Sequence, residues 1–133
     1  MDLMAMWRVV RPDAVKVWEK KEVKDRLSRY YAIMKDERIA KFLIAKKVPI
    51  EIDLSGPIEK LWTEHEKMSK EFKEILTKVD QGELIFKDLK NPKTSYLDLK
   101  IELGKRIMSE CHLCERRCGI NRSNGEIRYC NTF

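Results

Sequence analysis

Apolar residues recur three and four positions apart through most of the chain, the spacing that lines up one face of an α-helix. After Pro12-Asp13 they fall at Val15, Trp18, Val23, Leu27, Tyr30, Tyr31 and Met34, which predicts one helix or two short ones with Lys and Glu outward. Asp36 can cap a second segment carrying Ile39, Phe42 and Leu43, because its carboxylate can accept from the free amides of a first turn. Pro49 interrupts that segment. From Val48 to Leu54 the period changes to two, with Val48, Ile50, Ile52 and Leu54 alternating against Pro49, Glu51 and Asp53. This predicts a short extended piece at an edge, since Pro49 has no N–H to give a ladder.

The clearest element opens at Ser55-Gly56-Pro57, where Pro suits the first helical turn. Ile58, Leu61, Trp62, His65, Met68, Phe72, Ile75, Leu76 and Val79 follow at helical spacing, predicting a long amphipathic helix that ends at Gly82. Glu66, Lys70, Glu74 and Lys78 alternate in sign four apart on its other side, as on a solvated face. A bend at Asn91-Pro92 separates Leu84 to Leu89 from a last helix, capped by Thr94 or Ser95 and holding Leu97, Ile101, Ile107 and Met108. It runs into Cys111. The fold expected is mainly α, a helical bundle followed by a small Cys-rich knuckle or hairpin. Residues 1–110 are read as the helical domain and 111–133 as a metal-binding segment.

A length of 133 residues suits one domain plus a small appendage, and such a domain buries about two-thirds of its unfolded surface, enough for a core without disulfides. Lys and Arg number 28 against 22 Asp and Glu, a balance of +6 on a chain that is 38% charged. The interspersed signs, with four Asn and one Gln among many Lys and Glu, match the bias of proteins from hot environments, so the basic excess carries little information about nucleic acid. Met1 to Arg11 carries Asp2 and Arg8 and no small-residue cleavage site, unlike a signal peptide, and no apolar run approaches a membrane span. A cytoplasmic chain with no membrane contact is expected.

The five glycines are not spaced for a dinucleotide fingerprint or a P-loop. His65-Glu66 begins like a zinc-protease helix, but Ser69 stands where the second His is required, so His65 reads as a core or interface histidine. Trp18, Tyr30, Tyr31 and Trp62 lie on helical stripes and read as core residues before they read as a base-stacking platform. No catalytic residue is assigned.

The chemistry gathers in the last quarter. Cys111, Cys114, Cys118 and Cys130 form C-x2-C-x3-C-x11-C, and in a reducing compartment four such thiols point to a metal site before a disulfide framework. Four thiolates complete the tetrahedral shell of zinc or the four corners of a 4Fe-4S cluster. Asn124-Gly125 suits a tight turn that would fold Ile120–Ser123 back on Glu126–Tyr129 and return Cys130 to the other three. His112 can substitute for one sulfur. Zinc sites usually use two C-x2-C knuckles and this chain has one; the ferredoxin run is also absent, so the spacing leaves zinc and iron-sulfur both open.

The string CHLCERRCGINRSNGEIRYC resembles a segment found early in radical S-adenosylmethionine proteins related to pyruvate formate-lyase activating enzyme. There a C-x-L-C-x-R-x-C-G-x-N-R stretch with a later G-x-x-x-x-C precedes the catalytic barrel. Leu113, Arg116, Gly119, Asn121 and Arg122 fit along with the cysteines, and the helical first ninety residues look like the N-terminal extension of archaeal members. Those enzymes bind their cluster through C-x3-C-x2-C; this chain has the order C-x2-C-x3-C and then Phe133. The resemblance implies a metal- or iron-sulfur-binding N-terminal region, or truncated form, of such a protein, not catalytic by itself and not binding S-adenosylmethionine alone. Its partner would be another protein or the missing barrel. The alternative is a free-standing helical module whose zinc knuckle presents Arg116, Arg117, Arg122 and Arg128, with Lys105 and Arg106 nearby, to nucleic acid or an acidic protein. A purely structural or oligomeric helical protein with incidental thiols is a third class.

Overall fold

The computed structural model describes residues 9–131, so most of the Met1–Arg11 segment read for a signal peptide lies outside the described residues. The architecture is mainly helical, with six α-helices and no β-strand among the described residues. The chain divides into two compact units, one up to Ala40 and one from Lys41 on. None of the described helices is long and apolar enough to cross a membrane.

The first unit holds α1 (Pro12–Val17), α2 (Lys21–Arg26) and α3 (Ser28–Met34), three short helices where the spacing predicted one or two. Pro12 sits in the first turn of α1, where its missing N–H is not needed. The breaks let Trp18 stack on Tyr30, with ring centroids 5.8 Å apart and planes 12° from parallel, and lean on Tyr31 at 5.1 Å. In one continuous helix residues 18 and 30 would stand about 18 Å apart along the axis. The stripe read as core is therefore a partly solvated aromatic cluster, with Tyr30 59% exposed and no residue of these three helices buried.

Asp36 does not cap the next helix. It takes a left-handed backbone (φ 57°) directly after α3, its N–H bonds to the Ile33 carbonyl, and the Glu37 N–H bonds to the Ala32 carbonyl. That pair of bonds is the Schellman ending of a helix, with Asp in the position usually given to Gly.

The second unit carries the core. The short α4 (Lys41–Ala45) buries Ile44 and Ala45, while Phe42 and Leu43, predicted to face inward, are exposed. The extended piece after it makes one isolated antiparallel bridge between Pro49 and Ser95. Its bonds flank the proline, from Ile50 N–H to Thr94 O (3.1 Å) and from Tyr96 N–H to Val48 O (2.8 Å), so the ladder never calls on Pro49 to donate.

The long helix α5 (Ile58–Asp80) starts just after Pro57. It ends in a second Schellman motif: Gly82 is left-handed (φ 77°), its N–H reaches Val79 O, and Glu83 N–H reaches Lys78 O. The last helix, α6 (Tyr96–Ser109), is opened by a capping box. Asp98 Oδ2 accepts from the Ser95 N–H (2.8 Å) and hydroxyl (2.6 Å), and the Ser95 Oγ accepts from the Asp98 N–H. Ala45, Val48, Ile50, Leu61, Met68, Tyr96, Leu99 and Leu103 form the buried cluster. The buried side of α6 is thus Tyr96, Leu99 and Leu103, whereas Ile101, one of the predicted stripe, is 48% exposed.

Two polar ties lock these helices. Arg106 of α6 donates to Gly56 O and Leu54 O (both 2.7 Å) and to Glu102 Oε1 (2.9 Å), pinning the loop that leads into α5. Arg106→Ala is expected to lower unfolding stability by about 2 kcal/mol, since two carbonyls lose a charged donor. Equilibrium urea unfolding measures this.

His65 sits between α5 and α6, and its Nε2 accepts from Lys100 Nζ (3.0 Å) and the Tyr96 hydroxyl (3.2 Å). Partial burial first, and then the Lys100 charge, push its pKa below the ordinary imidazole value, against a smaller opposing pull from Glu66. The unfolded chain therefore takes up a proton before the folded one does. Stability is full above the ordinary imidazole pKa of about 6.5 and declines as pH falls through it. Urea midpoints at pH 8 and pH 5.5 should differ less in His65→Leu than in the parent chain; an unchanged difference would clear His65 of the effect.

Candidate functional site

The helix-to-loop change comes where the cysteines begin. α6 stops at Ser109, and Glu110 leaves helical geometry at φ −140°, ψ 80°. Cys111 is buried and exchanges two backbone bonds with the far side of a closed loop, donating to Ile120 O (3.0 Å) and accepting from Gly119 N–H (2.9 Å). Ile120 is buried as well, so this pairing anchors the loop at its base. Within the loop the Cys111 sulfur accepts from the Leu113 N–H, the bond that a C-x2-C turn makes available to its first cysteine. Arg117 N–H bonds to Cys114 O (3.0 Å), and left-handed backbone at Arg117 (φ 38°) and Gly119 (φ 64°) bends the chain past Cys118. Arg117 is strained there in a way that Gly119 is not.

The return of the chain differs from the hairpin that Asn124-Gly125 predicts. Arg122–Asn124 form a single 3₁₀ turn, only Gly125 is left-handed (φ 76°), and the one return bond described is Glu126 N–H to Asn121 O (3.3 Å). The competing interaction is a side-chain cap: Asn121 Oδ1 accepts from the Asn124 N–H (3.2 Å), and Glu126 Oε2 accepts from the Asn121 N–H (3.0 Å). Asn and Glu side chains here satisfy backbone groups that a ladder would otherwise have paired.

That turn aims Arg122 at the sulfurs. Its Nε donates to Cys111 Sγ (3.0 Å) and its Nη2 to Cys130 Sγ (2.7 Å). The Cys111 thiol is pushed below its usual pKa, first by the Leu113 N–H and then by the Arg122 guanidinium, with a smaller share from the Cys118 thiol. Arg122 is pushed upward in turn and stays charged. Cys114, Cys118 and Cys130 line one open pocket of about 350 Å³ together with Glu115, Arg116, Arg122 and Tyr129. Sequence reasoning placed Arg122 in a phosphate-binding patch; its engagement with sulfur depends on where the 3₁₀ turn points, which spacing does not encode.

Sulfur is a donor that thiophilic metals take, and of the four predicted cysteines three line one pocket while Cys111 and Cys130 share one guanidinium. Among the described residues, no three Cys, His, Asp or Glu side chains stand close enough together to hold an ion. Cys114 and Cys130 are exposed, so their side chains are the ones with room to turn. His112 bonds through Nδ1 to the Glu110 carbonyl (2.9 Å) and lies outside the pocket lining. The candidate nucleic-acid patch is divided: Arg106 is tied to the α5 entry loop, Arg122 to the thiols, and Arg116 packs over the Tyr129 ring at 4.4 Å.

No family model and no solved structure matches the chain. An uncharacterized protein of the thermophilic archaeon Methanocaldococcus jannaschii, MJ0674, is 41% identical over 97 residues, a match covering 73% of this chain and 27% of that protein. The chain therefore spans little more than a quarter of its relative's length. The thermophilic source of that relative accords with the Lys- and Glu-rich, Gln-poor composition.

Proposed function

We propose that residues 111–130 form a metal centre, with Cys111, Cys114, Cys118 and Cys130 as ligands to zinc or an iron-sulfur cluster. The chain is then the metal-binding N-terminal region of a longer, radical S-adenosylmethionine-type iron-sulfur protein, in the cytoplasm and without catalysis of its own. One observation carries the reading: within 20 residues of sequence, Cys114, Cys118 and Cys130 line a single pocket, and Cys111 shares the Arg122 guanidinium with Cys130. The much greater length of the archaeal relative supports the idea that such a region works inside a larger protein. When bound, zinc would cross-link the loop and a cluster would add electron transfer. The protein's part is to hold soft donors and exclude water on the Cys111 and Ile120 side.

Protein purified without oxygen is expected to carry zinc, or iron with inorganic sulfide, at one site per chain by elemental analysis. Absence of both, with all four thiols freely titratable, would sink the proposal. S-adenosylmethionine is not expected to be cleaved by this chain; release of 5′-deoxyadenosine under reducing conditions would refute that part.

A further inference from the structure

Arg122 offers Nε and Nη2, the two nitrogens of the guanidinium's side edge, to two different sulfurs. Carboxylate oxygens usually occupy that fork side by side. Here Cys111 Sγ and Cys130 Sγ take the two places, at 3.0 and 2.7 Å, although 18 residues separate them in sequence. One of the two sulfurs is buried at the base of the loop and the other is exposed. An accessible sulfur beside an inaccessible one, aligned by a third group, is the arrangement of an attacking and a resolving thiol.

We propose that Cys111 and Cys130 are a redox-active dithiol, positioned by Arg122, that exchanges with small-molecule disulfides. The Cys130 thiolate attacks one sulfur of the disulfide, forming a mixed disulfide and releasing one small thiolate. The Cys111 thiolate then attacks the Cys130 sulfur, the second small thiolate leaves, and a Cys111–Cys130 disulfide closes. Two electrons pass to the small disulfide, and the protons lost by the two cysteines complete two small thiols. Cys118 is half-buried and does not share the guanidinium edge, so it is the competing partner and not the first.

The test uses the full chain, metal-free and reduced, exposed to excess hydroxyethyl disulfide, quenched with acid, alkylated and mapped by mass spectrometry. A peptide joining Cys111 to Cys130 should accumulate first, leaving two alkylatable thiols. Arg122→Gln should slow closure about tenfold, with Arg122→Lys between, because Lys keeps the charge and loses the fork. A double variant, Cys114→Ser with Cys118→Ser, should still form the crosslink, and it keeps the test alive if Arg122→Gln does not fold. A first crosslink from Cys111 to Cys118 or from Cys114 to Cys118, or mixed disulfides that persist at all four positions, overturns the proposal. The outcome is independent of the metal reading: a chain that closes this disulfide and takes up no metal leaves the dithiol standing and removes the metal centre, and the converse result does the reverse.

Discussion

Leu99→Ala should lower the unfolding free energy by about 3 kcal/mol, while Ile101→Ala, two residues along the same helix, should cost under about 0.5 kcal/mol. Leu99 is fully buried in the cluster with Val48, Leu61, Met68, Tyr96 and Leu103, so truncation loses both the transfer of three carbons from water and the contacts of the cavity left behind. Ile101 stands half in solvent and leaves no cavity. For a chain of this size the Leu99 change corresponds to a fall in melting temperature of roughly 10 °C. Thermal and urea unfolding of the two variants side by side tests which face of α6 is the inner one. Equal losses would mean that the helix packs on the face containing Ile101.

That pair marks the border of what could be read from residues alone. In α6 the apolar positions Tyr96, Leu97, Leu99, Ile101, Leu103, Ile107 and Met108 contain two overlapping helical stripes. Both obey three-and-four spacing, and the choice between them is made by the bridge at Val48–Ile50 and by Leu61 and Met68 across the interface. The long helix was legible because its signals agree: Pro57 at the entry, Gly82 just past the end, one stripe and one charged face. The cap of α6 was legible only as Thr94 or Ser95, and Asp98, which completes the capping box, decides for Ser95. Asp36 misled because an Asp between two apolar segments can close one helix as well as open the next, and here the left-handed ending was taken. In the Cys-rich segment the ligand candidates followed from spacing, and the turn at Asn124-Gly125 was visible as a turn. Its 3₁₀ form, and with it the aim of Arg122, depended on the Asn121 and Glu126 side chains.

The metal centre, if it forms as proposed, should be all-or-none in the loop and nearly silent in the helices. Cys111→Ser is expected to weaken zinc binding at least about a hundredfold, because even groups behind a metal's ligands are worth 10–100-fold and Cys111 would be a ligand itself. The energetics of the segment set the second half of the expectation. Ordering some twenty residues costs on the order of 20–40 kcal/mol in chain entropy, while burying one Ile side chain returns about 2–3 kcal/mol. Among the described large apolar residues of the segment only Ile120 is buried with Cys111; Leu113 and Tyr129 are 65% and 72% exposed, and Ile127 is exposed as well. Packing alone is therefore a weak hold on residues beyond the Cys111–Ile120 pairing. The helices of the second unit, α4 to α6, rest instead on the cluster around Leu61 and Leu99, which contains no cysteine. Zinc added to the reduced, metal-free chain should slow hydrogen exchange at amides 112–131 by an order of magnitude or more, leave the far-ultraviolet circular dichroism of the helices unchanged, and do neither in Cys111→Ser. A cooperative loss of the helical signal on chelation would instead show that the loop and the helices fold as one unit.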